Sequence, residues 1–550
     1  EAFTAQVALA RRRAGTAALR ATPRPLLPPE RAANSVLAAF DRRIPFALTG
    51  AQVRVGQVLA AHLSGASPMQ RLLQGDVGSG KTVVALRAML QTVDAGGQAV
   101  LLAPTEILAV QHYQTLSNLL GPLSGEGLFA PEAAPGGEVP AADAGPQGSD
   151  GAPRGVVVRL LTGSLGAAQR RSTLADLAEG RADIAIGTHA LLSEPVGFAD
   201  LGLVVIDEQH RFGVEQRDVL RSRGAKPPHV LVMTATPIPR SIAMTYFGDL
   251  ETVTLDELPG GRPPVTTHVV PTSKPKWVAR AWERIGEEAR SGHGVFVVCP
   301  RIDAQDRTDP EGAPPAAGSD GSKAARPPTP SPDLENGSGP GGETQRPPLA
   351  TVEDTLERIR REPGLRDLRS EAIHGRLSAE AKEQIMSSFA SGQIDVLVAT
   401  TVIEVGVDVP RATLMVVLDA DRFGLAALHQ LRGRIGRGRD PGVCLLVSGA
   451  EPETPAARRL AAMEQHRDGV KLSEIDLELR REGDVLGADQ SGRGKSLRLL
   501  RVIRDRDLIA HTRFIAIDLI AGDPRLLGHP DLADFLARRL GDREDFLERA

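Results

Sequence analysis

Short apolar runs, each closing on a polar cluster, recur along most of this chain. Ala99–Ala103 runs into Pro104-Thr105-Glu106, Val156–Leu161 into Thr162-Gly163, and Asp183–Ile186 into Gly187-Thr188-His189. Leu203–Ile206 leads into Asp207-Glu208-Gln209-His210, and Val230–Met233 into Thr234-Ala235-Thr236-Pro237. Continuous apolar runs of this length fit strands buried on both faces. Helical segments alternate with them, which predicts an α/β fold: a parallel sheet covered on both faces. Each polar cluster then sits at the carboxyl end of a strand, where open α/β sheets bind ligands. A second alternating block repeats the pattern, with strands expected at Thr267–Val270, Val295–Cys299, Glu371–Ile373, Asp395–Ala399, Leu414–Leu418 and Val443–Val447.

Breaks in the pattern divide the chain. Residues 1–43 read as helical, with Pro23 to Pro29 interrupting them. The first block spans 44–262 and closes on the linker Pro259-Gly260-Gly261-Arg262-Pro263-Pro264; the second spans 263–450; a charged helical region fills 451–550. Residues 121–155 and 303–350 carry Gly, Pro and polar residues without periodicity and read as disordered insertions. Arg493, Lys495, Arg498, Arg501 and Arg504 recur near helical spacing in the last region.

Composition narrows the class. At 550 residues, 41% hydrophobic, the chain supports several cores, yet no apolar run approaches the ~20 residues that cross a bilayer. No membrane partner is expected. Cys299 and Cys444, the only cysteines, lie inside apolar runs, which suits a reducing cytoplasm and supports neither disulfides nor a zinc site. The net charge of −4 confines nucleic-acid binding to local basic patches. The chain opens on Glu1 without a signal peptide, as a piece of a longer protein or a processed product would.

The chemistry concentrates in Gly75-Asp76-Val77-Gly78-Ser79-Gly80-Lys81-Thr82, which has phosphate-loop spacing between an expected strand, Met69–Gln74, and an apolar-striped helix, Val83–Val93. The glycines let successive N–H groups turn toward phosphate oxygens, Lys81 reaches the β- and γ-phosphates, and Thr82 holds Mg²⁺. Gln52, one short helix upstream, has the amide donor and acceptor that read adenine. Asp207 and Glu208 close a buried strand, as expected of the acid that binds Mg²⁺ through water and the acid that polarises the attacking water. In the second block, Gln430-Leu431-Arg432-Gly433-Arg434-Ile435-Gly436-Arg437 sets Arg434 and Arg437 one helical turn apart, able to meet charge on a γ-phosphoryl group from across a cleft. A cleft that closes only when both halves grip ATP turns hydrolysis into relative domain motion.

These stretches together resemble the superfamily 2 helicases, and among them the RecG family of DNA branch-migration translocases. The resemblance rests on Gly75–Thr82, Ala103–Ala109, Gly187–Leu191, Asp207–Gly213 and Met233–Arg240, then on Ala399–Pro410 and His429–Gly438, in the family's order, across about 46–500. It implies two tandem RecA-like doubly wound domains with a helical C-terminal region, ATP and Mg²⁺ as cofactors, and duplex or branched DNA, including Holliday junctions and stalled forks, as the track. It also implies a DEQH box at Asp207, Glu208, Gln209 and His210. Thr105, Thr188, Thr400 and Thr401 would line the DNA path, and Thr234, Ala235, Thr236, Gly406 and Asp408 would couple nucleotide state to motion. A single-stranded-DNA-binding protein is an implied partner, and the bacterial cytoplasm, at the nucleoid, the implied location. Asp476–Gly487 and Gln490-Ser491-Gly492 resemble the family's translocation hairpin, with Arg481-Glu482-Gly483 and Asp489 as departures. The family's N-terminal wedge domain has no counterpart here, where residues 1–43 match only the helical segment that joins wedge to motor.

Three other readings predict different residues. A transcription-repair coupling factor usually shows another set at 207–210 and carries an RNA-polymerase-binding domain. A decayed ATPase would have lost Lys81, Glu208 or Arg437, and all three are present. A transporter ATPase would show a Ser-Gly-Gly-Gln-type signature, which is absent.

Overall fold

The computed structural model describes residues 2–125, 155–188, 191, 196–207, 226–234, 251–260, 263–303, 349–401, 409–438, 440–479 and 505–540. Strands β1 (Gln70–Gly75), β2 (Gln98–Leu102), β3 (Val158–Leu161), β4 (Ile184–Gly187), β5 (Leu201–Asp207), β6 (His229–Thr234) and β7 (Glu251–Leu255) make a first sheet. Its order is β3-β4-β2-β5-β6-β1-β7, and every pairing is parallel. Six of the seven coincide with the apolar runs to within two residues. The sequence pattern missed β7, which alternates Thr-Val-Thr at the sheet edge and is exposed over most of its length, so it lacks the continuous apolar signal of a central strand.

Helices α1 (Ala2–Ala18), α2 (Val36–Arg43), α3 (Gly50–Leu63), α4 (Lys81–Asp94), α5 (Glu106–Leu120) and α6 (Ala167–Ala178) precede or interleave with these strands. Successive strand residues feed opposite faces: Leu73 and Leu101 join one core with Phe40, Leu59 and Met89, while Leu72, Val100 and Leu102 join the other with Leu177 and Val204.

The second sheet holds β8 (Val265–Pro271), β9 (Gly294–Val298), β10 (Ser370–Ile373), β11 (Val396–Ala399), β12 (Ala412–Val417) and β13 (Gly442–Ser448) in the order β10-β11-β9-β12-β13-β8, again all parallel. Helices α7 (Pro275–Arg290), α8 (Val352–Arg361), α9 (Ala379–Ala390), α10 (Leu425–Arg432), α11 (Pro455–Gln465) and α12 (Gly469–Leu479) belong to this second lobe, followed by α13 (Arg506–Gly522) and α14 (Pro530–Leu540). Leu460 and Met463 of α11 and Leu472 of α12 enter the same core as Phe296 and Phe389, so the chain beyond 450 begins as part of lobe two. Cys299 and Cys444 are fully buried, and burial pushes both thiols up to about 12. Among the described residues, no helix is long and apolar enough to cross a membrane.

The N-terminal segment divides between two neighbours. Val36, Leu37 and Phe40 of α2 enter the core of lobe one, and Arg87 of α4 grips Asp41 through two 2.8 Å bonds. By contrast, Val7 and Ala10 of α1 pack with Ala516, Ile520, Leu526 and Leu536 of the C-terminal helices. Most of both predicted insertions, the hairpin motif from Arg480 onward and the basic run from Arg493 to Arg504 lie outside the described residues.

Candidate active site

The phosphate loop leaves β1 and enters α4 through two glycines in the left-handed region, Gly78 and Gly80, both at φ 84°. Gly80 is doubly constrained, because a Cβ there would lie 2.2 Å from Gln52 Nε2. It stands at the N-cap of α4 without a side-chain cap, and the first turn carries no acid. Uncapped N–H groups and the helix dipole therefore meet at the loop, the arrangement that binds anions. Lys81 Nζ donates to the carbonyls of Gly75 (2.7 Å) and Asp76 (3.0 Å), which holds its ammonium over the loop.

Gln52 makes hydrogen bonds within the protein at both ends of its amide. Its Oε1 accepts from Thr49 N (2.9 Å), completing a capping box on α3, and its Nε2 donates to Ser79 O (2.8 Å). The amide assigned to adenine is engaged inside the protein at both ends, and at 2% exposure Gln52 braces the phosphate loop. The Thr49-x-x-Gln52 spacing is the signature of that box, so the sequence carried the signal.

Strand register sets the remaining groups of lobe one. Thr234 pairs with Gln74 and Asp207 with Met233, so β5, β6 and β1 deliver Asp207, Thr234 and Gly75 side by side at the carboxyl edge. The Asp207 carboxylate, 13% exposed, takes a 2.7 Å hydrogen bond from His112 Nε2 of α5. Asp207 and Thr82 offer hard oxygen donors, which suit Mg²⁺. Among the described residues, no group of three His, Cys, Asp or Glu side chains is built to hold a metal alone. Glu208, Gln209, His210, Ala235, Thr236, Gly406 and Asp408 lie outside the described residues.

Lobe two meets this loop directly. A Cβ on Gly433, the residue that ends α10, would stand 3.0 Å from Val77 Cβ. The turn that follows carries Arg434 and Arg437, both half-buried, and Arg437 Nε donates to Gly433 O at 2.9 Å. Gln430, also half-buried, sits one turn earlier on α10. Beside it, Asp76 Oδ1 faces His429 Nε2 at 3.2 Å, and Gly469 N donates to Asp76 Oδ2 at 3.5 Å. Burial raises the Asp76 carboxyl, but the His429 hydrogen bond, the Gly469 N–H and the Lys81 ammonium outweigh it and leave it below the ordinary range.

Arg432 fixes the tautomer of this bridge. Its buried guanidinium donates to the carbonyls of Met463, His466 and Arg467, and its Nη2 lies 3.0 Å from His429 Nδ1. A guanidinium cannot accept, so Nδ1 is the acceptor and Nε2 carries the proton given to Asp76. Asp76, His429, Arg432 and the start of α12 thus form one polar chain across the two lobes.

The threonines expected along DNA are placed less openly. Thr105 is the N-cap of α5 and accepts from Leu108 N (3.3 Å), Thr188 and Thr400 are buried, and Thr401 is half-buried. All four stand at carboxyl ends of strands. His374, Gly375 and Arg376 stand in the same way after β10, and Arg376 pairs with Asp303.

Known proteins carry the same parts. The family model described as "DEAD/DEAH box helicase" matches 56–134 and 151–245, and "Helicase conserved C-terminal domain" matches 348–439. Residues 466–542 match "ATP-dependent DNA helicase RecG, domain 3, C-terminal". The chain is 47% identical to ATP-dependent DNA helicase RecG of Mycobacterium tuberculosis (strain ATCC 25618 / H37Rv), over 94% of this chain and 63% of that protein. The chain belongs to the RecG family. The Bacillus subtilis (strain 168) RecG is 37% identical over 90% of this chain and 61% of its own length. A solved structure of RecG bound to a three-way DNA junction superposes with a TM-score of 0.66 at 34% identity, over 92% of this chain and 56% of that one. This chain therefore spans a little over three-fifths of the length of these two RecG proteins.

Proposed function

We propose that this chain hydrolyses ATP to move along duplex or branched DNA, and that in the whole protein this drives Holliday-junction branch migration and fork reversal. The observation that carries the reading is the contact of the arginine-bearing turn of lobe two with the phosphate loop of lobe one, Gly433 against Val77, in a RecG-family chain. ATP sits on the N-terminus of α4, with Lys81 on its β- and γ-phosphates. Thr82 and Asp207 would hold Mg²⁺, which would supply positive charge against the phosphate oxygens. Glu208 orients the attacking water, while Arg434 and Arg437, with Gln430 beside them, meet the γ-phosphoryl group from lobe two. Gln209, His210, Thr234, Ala235, Thr236, Gly406 and Asp408 carry the nucleotide state between the lobes. Gln52, which braces the loop through Ser79, also reads adenine with the donor and acceptor capacity its amide has left.

Thr105, Thr188, Thr400 and Thr401 mark the DNA path, where contacts to phosphate position the strand without reading sequence. The motor is accordingly indifferent to sequence. Contact with a single-stranded-DNA-binding protein and residence at the bacterial nucleoid complete the proposal by family likeness.

Steady-state ATP turnover tests it, measured with single-stranded DNA, linear duplex and a four-way junction. The expected result is stimulation by duplex, strongest with the junction, and none in Lys81→Ala. Equal turnover on all three, or activity that survives the substitution, contradicts it.

A further inference from the structure

Helix α5 turns Leu108, His112 and Leu116, spaced four apart, toward one face. Leu108 and Leu116 are buried in the core of lobe one, so the histidine between them occupies an inward position. A polar ring placed there costs free energy unless it is hydrogen-bonded. Its partner is Asp207, at 2.7 Å, with both side chains 13% exposed. The carboxylate only accepts, so Nε2 carries the proton of this bond.

We propose that His112 is a positioning residue for the metal site: its Nε2–H holds Oδ2 of Asp207 and so fixes the rotation of the carboxylate at which Mg²⁺–nucleotide assembles. This rests on the assignment of Asp207 to Mg²⁺ made above. The geometry favours positioning over a role in packing alone. Asp207 closes β5 at the carboxyl edge of the sheet, where the proposed metal site stands, and the His112 bond falls on its carboxylate Oδ2. His112 stands on an anchored helix: α5 is held by its buried leucines, by the Thr105 cap, and by Glu106 Oε1 accepting from Gly163 N at 2.8 Å. A donor on an anchored helix, bonded to the carboxylate, is the arrangement by which outer groups set a metal ligand, and losing one typically costs 10- to 100-fold in metal affinity or activity. The same helix carries Thr105 at its N-cap, about 10 Å from His112 along the axis, so any displacement of that end by DNA reaches Asp207 through His112.

The test uses this chain and a fluorescent ATP analogue, N-methylanthraniloyl-ATP, whose binding is followed as Mg²⁺ is added. Thermal midpoints are recorded beside it. His112→Leu should raise the half-saturating Mg²⁺ about 10-fold or more and leave the Mg²⁺-free binding of the analogue unchanged. His112→Gln, whose amide nitrogen falls near the place of Nε2, should restore the native Mg²⁺ dependence; His112→Asn, whose shorter amide falls short, should not. If the leucine variant does not fold, the glutamine and asparagine pair decides the matter alone. Native Mg²⁺ dependence in the Leu or Asn variants overturns the inference, as does an equal loss in all three. Binding by the unsubstituted chain that ignores Mg²⁺ overturns the metal-site assignment itself, a result distinct from failure of His112.

Discussion

Replacing Arg437 by alanine lowers ATP turnover by about 10³-fold or more, with nucleotide affinity left close to native. The size of the effect decides between two roles. An arginine on an exposed basic turn contributes about 0–1 kcal/mol through any surface pair, less than a tenfold change. A guanidinium that meets the γ-phosphoryl charge only in the transition state supplies about 4 kcal/mol, the equivalent of 10³ in rate. The turn that carries Arg437 follows directly on Gly433, which abuts Val77 of the phosphate loop. Because the group acts in the transition state, its loss falls on kcat and leaves ground-state binding alone. Arg437→Lys should recover little, since an ammonium lacks the planar fork that grips two oxygens. Arg434→Ala, measured in parallel, apportions the effect between the two residues. Single-turnover hydrolysis with a fluorescent-nucleotide titration checks the prediction, and a fall of less than tenfold for both variants removes both arginines from the mechanism.

Lys81→Ala should lower kcat by about 10²–10³-fold, the usual cost of losing one preorganised charge donor. The ammonium donates to two carbonyls of its own loop, Gly75 and Asp76. These bonds aim it across the loop, and a phosphate competes for the same protons. Lys81 is half-buried and these two bonds stay within its own loop, so the thermal midpoint should hold. A large drop in midpoint with turnover intact would make Lys81 a loop brace and no more.

Much of this was legible in the chain because the relevant signals are local. A buried strand declares itself by four or five apolar residues in a row, and a phosphate loop by glycines at fixed spacing. Both sheets and the cradle followed from those patterns. β7 escaped because it alternates and lies mostly exposed, so it lacks an apolar run. Gln52 was read for its chemistry, whereas Thr49 three residues before it marks a helix start, and the cap claims one end of the amide. The expected threonines came from the family resemblance, which assigns a residue a place but not whether its side chain is open.

What the sequence left unread depends on contacts between distant segments. His112 lies 95 residues from Asp207, and His429 lies 353 from Asp76; no periodicity within either helix names the partner. The attachment of α1 to α13 is of the same kind, since an Ala-rich stripe at residue 2 carries no address for residue 516. The tautomer of His429 needed the position of Arg432, which only the fold supplies.

The central claim is that both lobes grip a single nucleotide. It is tested most directly by the distance between them. The native thiols are buried and pushed up to about 12, so cysteines introduced at exposed positions, Ser64→Cys on lobe one and Ser391→Cys on lobe two, take spin labels selectively. Pulsed electron resonance then reads the interlobe distance without nucleotide and with ADP–beryllium fluoride. The account predicts that the nucleotide shifts and narrows the distance distribution, and that Lys81→Ala abolishes the shift. An unchanged distribution, or a shift that persists without Lys81, contradicts it.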